Sequence, residues 1–292
     1  MSTTYKPALL KALTLITRRD SNRVIQLSLI GAEFTRLYWN QTVIFHLRQA
    51  AVISKEPEVI HRIRAAADGN RVRDLRDLPT PVRTRIDNEM AKILRIDVLK
   101  RFHASKPVHM PLLFSWTSGE DFISLPQASI DFLTANSRPL ETLANYWWAK
   151  YLEKVNWLAP AIIDKVERDG ARRSSLTKYL RILRETDEHN CFYCGRELSA
   201  ASRVEVDHVL PWTFLLSNEL WDLVLSCAPC NSAKSDRLPE RRFVEKLALT
   251  NAIRAKRTLS TTVSPLHGGD TIFQLYDAAI AVEWPRFWSP TP

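Results

Sequence analysis

The four cysteines of this chain constrain its fold more than any other feature. They are the only cysteines in 292 residues, and they form two C-x-x-C pairs, Cys191 with Cys194 and Cys227 with Cys230. Each pair turns two thiolates toward one point, and two such pairs supply the tetrahedral sulfur shell that structural Zn²⁺ prefers. The interval between the pairs exceeds the roughly 15–20 residues of a simple zinc ribbon. The sequence therefore predicts a zinc site that closes a segment with elements of its own.

The alternative for these cysteines is a pair of disulfides, which would suit an oxidising compartment. The first twenty residues lack the pattern of a secretory signal peptide, because Lys11 interrupts their apolar stretch. No run approaches the ~18–20 apolar residues of a membrane span. We therefore expect a cytoplasmic chain without a membrane segment, and in a reducing cytosol paired cysteines favour a metal over disulfides.

The charge of the chain favours an anionic partner. Its 41 basic and 32 acidic residues give a net charge of +9, which is in the range where nucleic acid becomes a plausible ligand. An ordinary basic protein is the alternative. The hydrophobic fraction of 45% is sufficient for a real core, and the length allows one large or two ordinary domains.

The chain is predicted to be mainly α, and α+β overall, in three parts. Residues 1–160 are expected to form a helical N-terminal domain for recognition or partner binding. Residues 161–240 are expected to form a basic helix and a cysteine module with its core at 185–240, and 241–292 a helical extension. Helical spacing or composition predicts helices around Leu9–Ile16 and over Ile30–Arg48, Glu58–Ala67, Thr84–Phe102 and Leu140–Leu152. A short strand is predicted over Arg23–Ser28, a hairpin or irregular pair of strands over Leu112–Leu125, and an ordered cap over Ser264–Pro292.

Two basic segments flank the cysteine module, Lys165–Arg184 before it and Arg237–Arg257 after it. Solvated helix faces are the alternative to contacts with phosphates. The adjacent Trp147 and Trp148 are interpreted as core residues rather than as a base-stacking platform.

The segment between the cysteine pairs predicts two strands and a helix. Val204–His208 favours a strand that ends at an Asp-His pair, and Leu223–Leu225 favours a second strand. A short helix is predicted from Pro229. Asn231 and Lys234, three residues apart, share a face of that helix and can address one phosphate near its N-terminus.

This segment resembles the HNH endonuclease family, whose active site is a ββα-metal (His-Me) finger, in its zinc-clamped form. The residues that carry the resemblance are the two C-x-x-C pairs and the elements D-H-x-x-P, V-L and N-x-x-K-S-D. The stretch Asp207–Asp236 is also similar to the HNH domain of RNA-guided CRISPR effector nucleases. The resemblance covers residues 185–240, and the N-terminal region is weakly similar to helical regions of bacterial defence proteins.

The resemblance implies a role for each motif residue. His208 matches the general base, and a neutral imidazole can take a proton from water near neutral pH. Asp207 and Asn231 match the protein ligands of one catalytic Mg²⁺ or Mn²⁺, for which their oxygens are suitable donors. Lys234 would add electrostatic stabilisation. The cysteines would hold a structural zinc and take no part in the chemistry.

One position departs from the family pattern. Asp222 stands where the family has its middle Asn, whose main role is to brace the loop that carries the base. An Asp accepts hydrogen bonds but has no amide N–H to donate. It can brace the loop differently, add a ligand or weaken activity, and we expect bracing.

The sequence therefore predicts a metal-dependent endonuclease that hydrolyses DNA phosphodiester bonds, with RNA as the other substrate class. The family implies 5′-phosphate and 3′-hydroxyl ends. One module cuts one strand, so a double-strand break needs a homodimer or two events. The expected setting is bacterial anti-phage defence or restriction. The alternatives are a non-cutting, zinc-dependent nucleic-acid-binding module and an effector subunit that is active only with a partner defence protein.

Overall fold

The structure is a computed structural model, and it confirms a mainly α chain with little β structure. It describes residues 4–50, 52, 56–100, 113–168, 174–186, 189–198, 203–257, 269–284 and 287–290. The chain divides into two compact units. The first unit comprises Met1–Trp157 with Ile162–Ala171, and the second comprises Leu158–Ala161 with Arg172–Pro292. The cysteine module and the C-terminal helices thus belong to the same unit.

The first unit is built from helices and one small sheet. Its helices are α1 (Tyr5–Arg19), α2 (Leu27–Trp39), α3 (Glu58–Asn70), α4 (Thr80–Ile93), α5 (Gln127–Ala135), α6 (Ser137–Val155) and α7 (Ile162–Glu167). Turns of π-helix extend α2 over Asn40–Ile44 and α4 over Leu94–Leu99. Each segment that was predicted helical contains a helix, with shifted ends; Arg101 and Phe102 lie outside the described residues.

Close packing of α2 on α4 depends on a glycine. A Cβ at Gly31 would lie 2.3 Å from the backbone oxygen of Asp87, so only glycine allows this approach of the two helices. The paired tryptophans of α6 divide between interior and surface. Trp148 is fully buried, as predicted, whereas Trp147 is 48% exposed, so the core interpretation was wrong for that residue.

The small sheet joins distant parts of the first unit. Strands β1 (Val24–Gln26) and β2 (Phe122–Ser124) pair antiparallel. The predicted strand near residue 25 is confirmed. The predicted hairpin around Gly119 is reduced to an isolated bridge between Ser115 and Ser124, because β2 takes β1 as its main partner. Leu112 lies outside the described residues.

The second unit contains a ββα motif enclosed by helices. Its elements are α8 (Thr177–Thr186), β3 (Val204–His208), α9 (Trp212–Leu215), β4 (Leu223–Cys227), α10 (Ala228–Lys234), α11 (Arg241–Arg257) and α12 (Gly269–Ala281). β3 and β4 pair antiparallel, with Asp207 opposite Val224 and His208 opposite Leu223. Both predicted strands are present, and the following helix begins at Ala228, one residue before Pro229.

The C-terminal segment packs into the core of the second unit. Trp284 and Trp288 are both buried, and the indole N–H of Trp284 donates to the backbone oxygen of Asp236 at 2.9 Å. The backbone N–H of Trp288 donates to Leu238 at 2.8 Å. The predicted cap is therefore ordered in its described parts, and it covers the end of the ββα motif. None of the described helices is long and apolar enough to span a membrane.

Two residues of the predicted basic surfaces lie inside the protein. Lys165, on α7, is fully buried in the first unit, and Arg254, on α11, is 2% exposed and donates to the backbone oxygens of Leu220 and Leu223. Neither residue can contact phosphate from these positions. Exposed basic residues remain on α8 and α11, namely Lys178, Arg181, Arg184, Arg241, Arg242, Lys246 and Lys256. Arg172 and Arg173 lie outside the described residues.

Candidate active site and metal centre

The four cysteines converge on one point. Their Sγ atoms all lie within 4.8 Å of one another, and those of Cys194 and Cys227 are 3.9 Å apart. A tetrahedron with Zn–S bonds of about 2.3 Å has S···S edges of about 3.8 Å, so the spacing fits zinc. All four are free cysteines, so the disulfide alternative is not found. Gly195, at a φ of +72°, closes the first turn by donating its N–H to the oxygen of Cys191 at 2.9 Å.

The chemistry of the cluster also calls for a cation. Burial raises the pKa of the Cys191 thiol, and burial together with the neighbouring thiols raises that of Cys230. Four thiolates cannot share this space unless a positive ion compensates their charge, and Zn²⁺ binds thiolates. The Cys227 backbone N–H donates to the Sγ of Cys191 at 3.4 Å, which further favours the deprotonated sulfur. The donor set thus fits a structural zinc ion.

Asp207 and His208 end strand β3 as a buried pair, with 4% and 2% of their surfaces exposed. The Oδ2 atom of Asp207 accepts a hydrogen bond from the Tyr193 hydroxyl at 2.5 Å and lies 3.1 Å from the Nζ atom of Lys234. Lys234 also donates to the backbone oxygen of His208 at 2.6 Å. Burial, followed by the charge of Asp207, raises the pKa of Tyr193 well above its ordinary value, so the tyrosine remains a donor. Two donors therefore fix the carboxylate.

The imidazole of His208 is oriented by an amide. Its Nε2 atom lies 2.9 Å from the Oδ1 atom of Asn218, whose Nδ2 atom donates to the Ser174 hydroxyl at 2.7 Å. An amide oxygen only accepts, so this contact assigns the proton of the neutral ring to Nε2. The Nδ1 atom of His208 then carries the lone pair, which is the property a general base needs.

Asp222 braces the residues that follow His208. Its Oδ1 atom accepts from the backbone N–H of Leu210 at 2.8 Å, and its backbone oxygen accepts from Val209 at 2.9 Å. Burial raises the pKa of this carboxyl well above its ordinary value. The side chain thus holds the loop through an acceptor alone, which an Asp supplies as well as an Asn.

Helix α10 presents two residues to one face of β3. Asn231 donates from Nδ2 to the Oε2 atom of Glu205 at 2.6 Å, while Lys234 contacts Asp207 one pleat further along the strand. Glu205 also pairs with Arg203 at 2.8 Å. Because alternate residues of a strand share a face, Glu205 and Asp207 both lie toward α10. The oxygen atoms available to a hard divalent cation on this face are those of Asp207, Asn231 and Glu205.

Three residues of the site were missed from the sequence: Tyr193, Asn218 and Glu205. A signal existed for two of them. Tyr193 stands inside the first C-x-x-C pair, and Glu205 alternates with Asp207 on a predicted strand. Asn218 lies in a loop of irregular sequence, where only the fold brings it to His208. By contrast, Lys234 was expected to address phosphate, and the structure directs its buried ammonium at protein oxygens.

Comparison with known families agrees with this geometry. Residues 191–240 match the family model described as HNH endonuclease. These residues form an HNH domain. The resemblance inferred from the motifs is thereby confirmed for this part of the chain. Searches of curated proteins and of solved structures found no match. The HNH domain indicates nuclease activity, a nucleic-acid substrate and the use of a divalent metal.

Proposed function

We propose that the chain is a metal-dependent endonuclease that hydrolyses DNA phosphodiester bonds, with His208 as the general base. The supporting observation is the contact of its Nε2 atom with Asn218, which assigns the lone pair of the neutral ring to Nδ1. In this position Nδ1 takes the proton of the attacking water, and Nε2 keeps its own proton on the amide. The water oxygen then attacks phosphorus, the bond between phosphorus and the 3′ oxygen breaks, and a proton from solvent converts the leaving oxygen to the 3′ hydroxyl.

The residues that would hold the catalytic ion are Asp207 and Asn231. A Mg²⁺ or Mn²⁺ ion bound there supplies charge stabilisation for the phosphoryl group and the leaving oxygen. Glu205 positions the amide of Asn231, because its carboxylate accepts from Nδ2 at 2.6 Å and leaves Oδ1 as the ligand atom. Lys234 positions Asp207 and the backbone of His208 rather than touching phosphate.

The substrate class and biological setting rest on charge and family. A net charge of +9 favours a polyanion, and the exposed cations of α8 and α11 offer contacts to a nucleic-acid backbone. We assign DNA as the substrate and host defence or restriction in a bacterial cytoplasm as the setting. Cleavage of both strands would require a homodimer or two successive events.

One observation favours a second candidate, a non-cutting, zinc-dependent nucleic-acid-binding module. The Oδ2 atom of Asp207 is already engaged by Tyr193 and Lys234, and a carboxylate held in this way binds a metal only through its remaining lone pairs. The two candidates differ in one property, which is catalysis.

The experiment is a nicking assay on supercoiled plasmid with Mg²⁺, Mn²⁺ or EDTA, and with an RNA of matched length in parallel. We expect nicked DNA with either metal, none with EDTA and none with the His208→Ala protein. Binding without nicking under every metal would support the non-cutting module instead. Nicking that appears only after addition of a partner complex, and disappears in His208→Ala, would identify an effector subunit.

A further inference from the structure

A surface pocket in the second unit lies beside the zinc-binding cysteines. It encloses about 510 Å³, which is within the range of ligand sites. Its floor is aromatic, and its rim is formed largely by cationic side chains. The lining residues are Tyr193, Cys194, Arg196, Arg242, Phe243, Lys246 and Pro290.

The cations of the pocket come from two segments. Arg196 follows the first cysteine pair, while Arg242 and Lys246 are four residues apart and share a face of α11. None of the described residues that line the pocket is acidic. Within the described parts of the chain no acid pairs with Arg196, whereas Arg242 contacts Glu240 at 2.8 Å just outside the lining. Lys246 is held in place because its Nζ atom donates to the Phe192 oxygen at 2.5 Å.

A competing role for these cations is to balance the zinc site. A zinc ion with four thiolates carries a formal charge of −2, and the exposed Cys194 is one of the residues that line the pocket. Two of the three cations would suffice for that purpose. The pocket also has an aromatic floor made by Tyr193 and Phe243, whose rings lie 5.4 Å apart in an edge-to-face arrangement. Balancing the charge of the zinc site does not require a cavity with an aromatic floor.

The pocket is connected to the active site by a single side chain. Tyr193 lines the pocket, and its hydroxyl donates to Asp207 at 2.5 Å. A group bound in the pocket therefore lies about one tyrosine side chain from the proposed catalytic carboxylate. Nucleotides advance about 3.4 Å along the axis per step of one strand, so this distance corresponds to a few nucleotides of DNA.

We propose that this pocket binds a backbone phosphodiester of the nucleic-acid substrate, a few nucleotides from the cleaved bond. This inference rests on the proposed nuclease function. The cations Arg196 and Arg242 hold the phosphate oxygens, and the aromatic floor meets the sugar. The contact carries no sequence information and fixes the register of the strand relative to His208.

The test measures binding of a short fluorescein-labelled duplex to the full chain carrying His208→Ala, by fluorescence anisotropy between about 50 and 200 mM NaCl. An RNA duplex of the same sequence forms a second arm. Each phosphate contact contributes about 0.9 to the slope of log affinity against log salt. The Arg196→Gln/Arg242→Gln protein should reduce the magnitude of that slope by about 1 and weaken binding at low salt several-fold. Lys154→Gln, an exposed cation on α6 to which no nucleic-acid contact is assigned, is the control and should leave the slope unchanged.

Zinc content of each protein separates the two roles of the cations. Retention of zinc with a reduced slope supports the phosphate site, on DNA alone or on both nucleic acids. An unchanged slope, or a loss of zinc in the double variant, overturns it. The nicking assay on the wild-type protein tests the proposed function separately. If wild type cuts plasmid and the double variant shows no slope change, only the phosphate-site proposal fails. If wild type neither cuts nor binds nucleic acid, the proposed function fails as well.

Discussion

The two units of the molecule bury charged groups in different ways. In the first unit such groups are dispersed, and each has its own partners: Lys11 donates to Asn145 at 2.7 Å, and Glu33 pairs with Arg19 and Arg36. In the second unit, four buried ionisable residues lie around the end of one five-residue strand, namely Asp207, His208, Lys234 and Asp222.

The difference agrees with the location of the HNH domain in the second unit. Burial of an ionisable group costs free energy unless it is paired and hydrogen-bonded. Dispersed and locally paired charges are compatible with a purely structural role, as in the helical unit. Two conditions favour a cluster of buried charges on two short strands and a short helix: another element that holds the scaffold, and a function that uses the charges. The zinc-binding cysteines supply the first condition, and the proposed hydrolysis supplies the second.

The largest expected effect separates the units by their dependence on metal. Cys227→Ser should release zinc and unfold the second unit, because zinc binding contributes on the order of 10 kcal/mol to the folding of such small domains. The first unit should unfold at its original temperature. Differential scanning calorimetry with zinc analysis measures both effects.

The control for this variant is Ser226→Ala, which alters the neighbouring buried residue and should keep the zinc. If Cys227→Ser kept the same thermal stability without bound zinc, the contrast between a metal-held unit and a helix-packed unit would be lost.

The next effect tests the charge cluster. Lys234→Met leaves the carboxylate of Asp207 without its buried cation, and it should destabilise the second unit by about 3–5 kcal/mol. It should also abolish nicking, because Asp207 and the backbone of His208 lose their common donor. Urea unfolding measures the stability, with the exposed Lys256→Met as control. Equal stability of the two variants would show that the pair is not structural.

A smaller effect concerns Lys165, a lysine of the first unit that is completely buried. Burial lowers the pKa of Lys165 from 10.5 to about 7. The unfolded chain then binds more protons between these values, so the stability of this unit should rise with pH from about 7 toward 10 and be lower at neutral pH. Lys165→Met should remove that rise and stabilise the unit at pH 7 by on the order of a few kcal/mol.

Lys154→Met provides a matched comparison on an exposed lysine of α6. The measurement is urea unfolding of wild type, Lys165→Met and Lys154→Met from about pH 7 to 10. Parallel curves for wild type and Lys165→Met would mean that the lysine does not titrate as its burial requires.

The smallest effect concerns Asp222. Burial raises the pKa of this carboxyl, so the folded chain binds its proton more tightly and stability falls as pH rises above the ordinary value of about 3.9. Asp222→Asn keeps the acceptor for Leu210 and has no proton to lose. It should match the stability of wild type in acid and exceed it at pH 8, with nicking retained. If the free energies of unfolding of wild type and Asp222→Asn differed by the same amount at every pH, titration of Asp222 would not affect stability, and the prediction would be wrong.

Local patterns predicted most of the elements. Apolar spacing placed α1, and the alternation before Asp207 placed β3. The cysteine spacing predicted a cluster that the structure forms. These features depend on residues that are close in sequence, which is why a single chain reveals them.

Contacts between residues that are distant in sequence could not be predicted from local patterns. The pairing of Val24 with Ser124, the burial of Lys165 within a basic segment and the exposure of Trp147 beside a buried Trp148 all depend on tertiary packing. The same holds for Asn218, which reaches His208 through an irregular loop. In the site, the motif residues were therefore named from the sequence, and the residues that orient them were not.

The most direct test of the central claim, that His208 takes the proton from water, is the pH dependence of single-turnover cleavage at saturating Mg²⁺. Only the neutral imidazole can accept a proton, and its ordinary pKa is about 6.5. We predict that the rate rises with pH, close to tenfold per pH unit while the imidazole is protonated, and reaches a plateau once the imidazole is neutral. A rate that stays flat from about pH 5.5 to 8, across the range in which an imidazole of that pKa titrates, would contradict the assignment of His208 as the base.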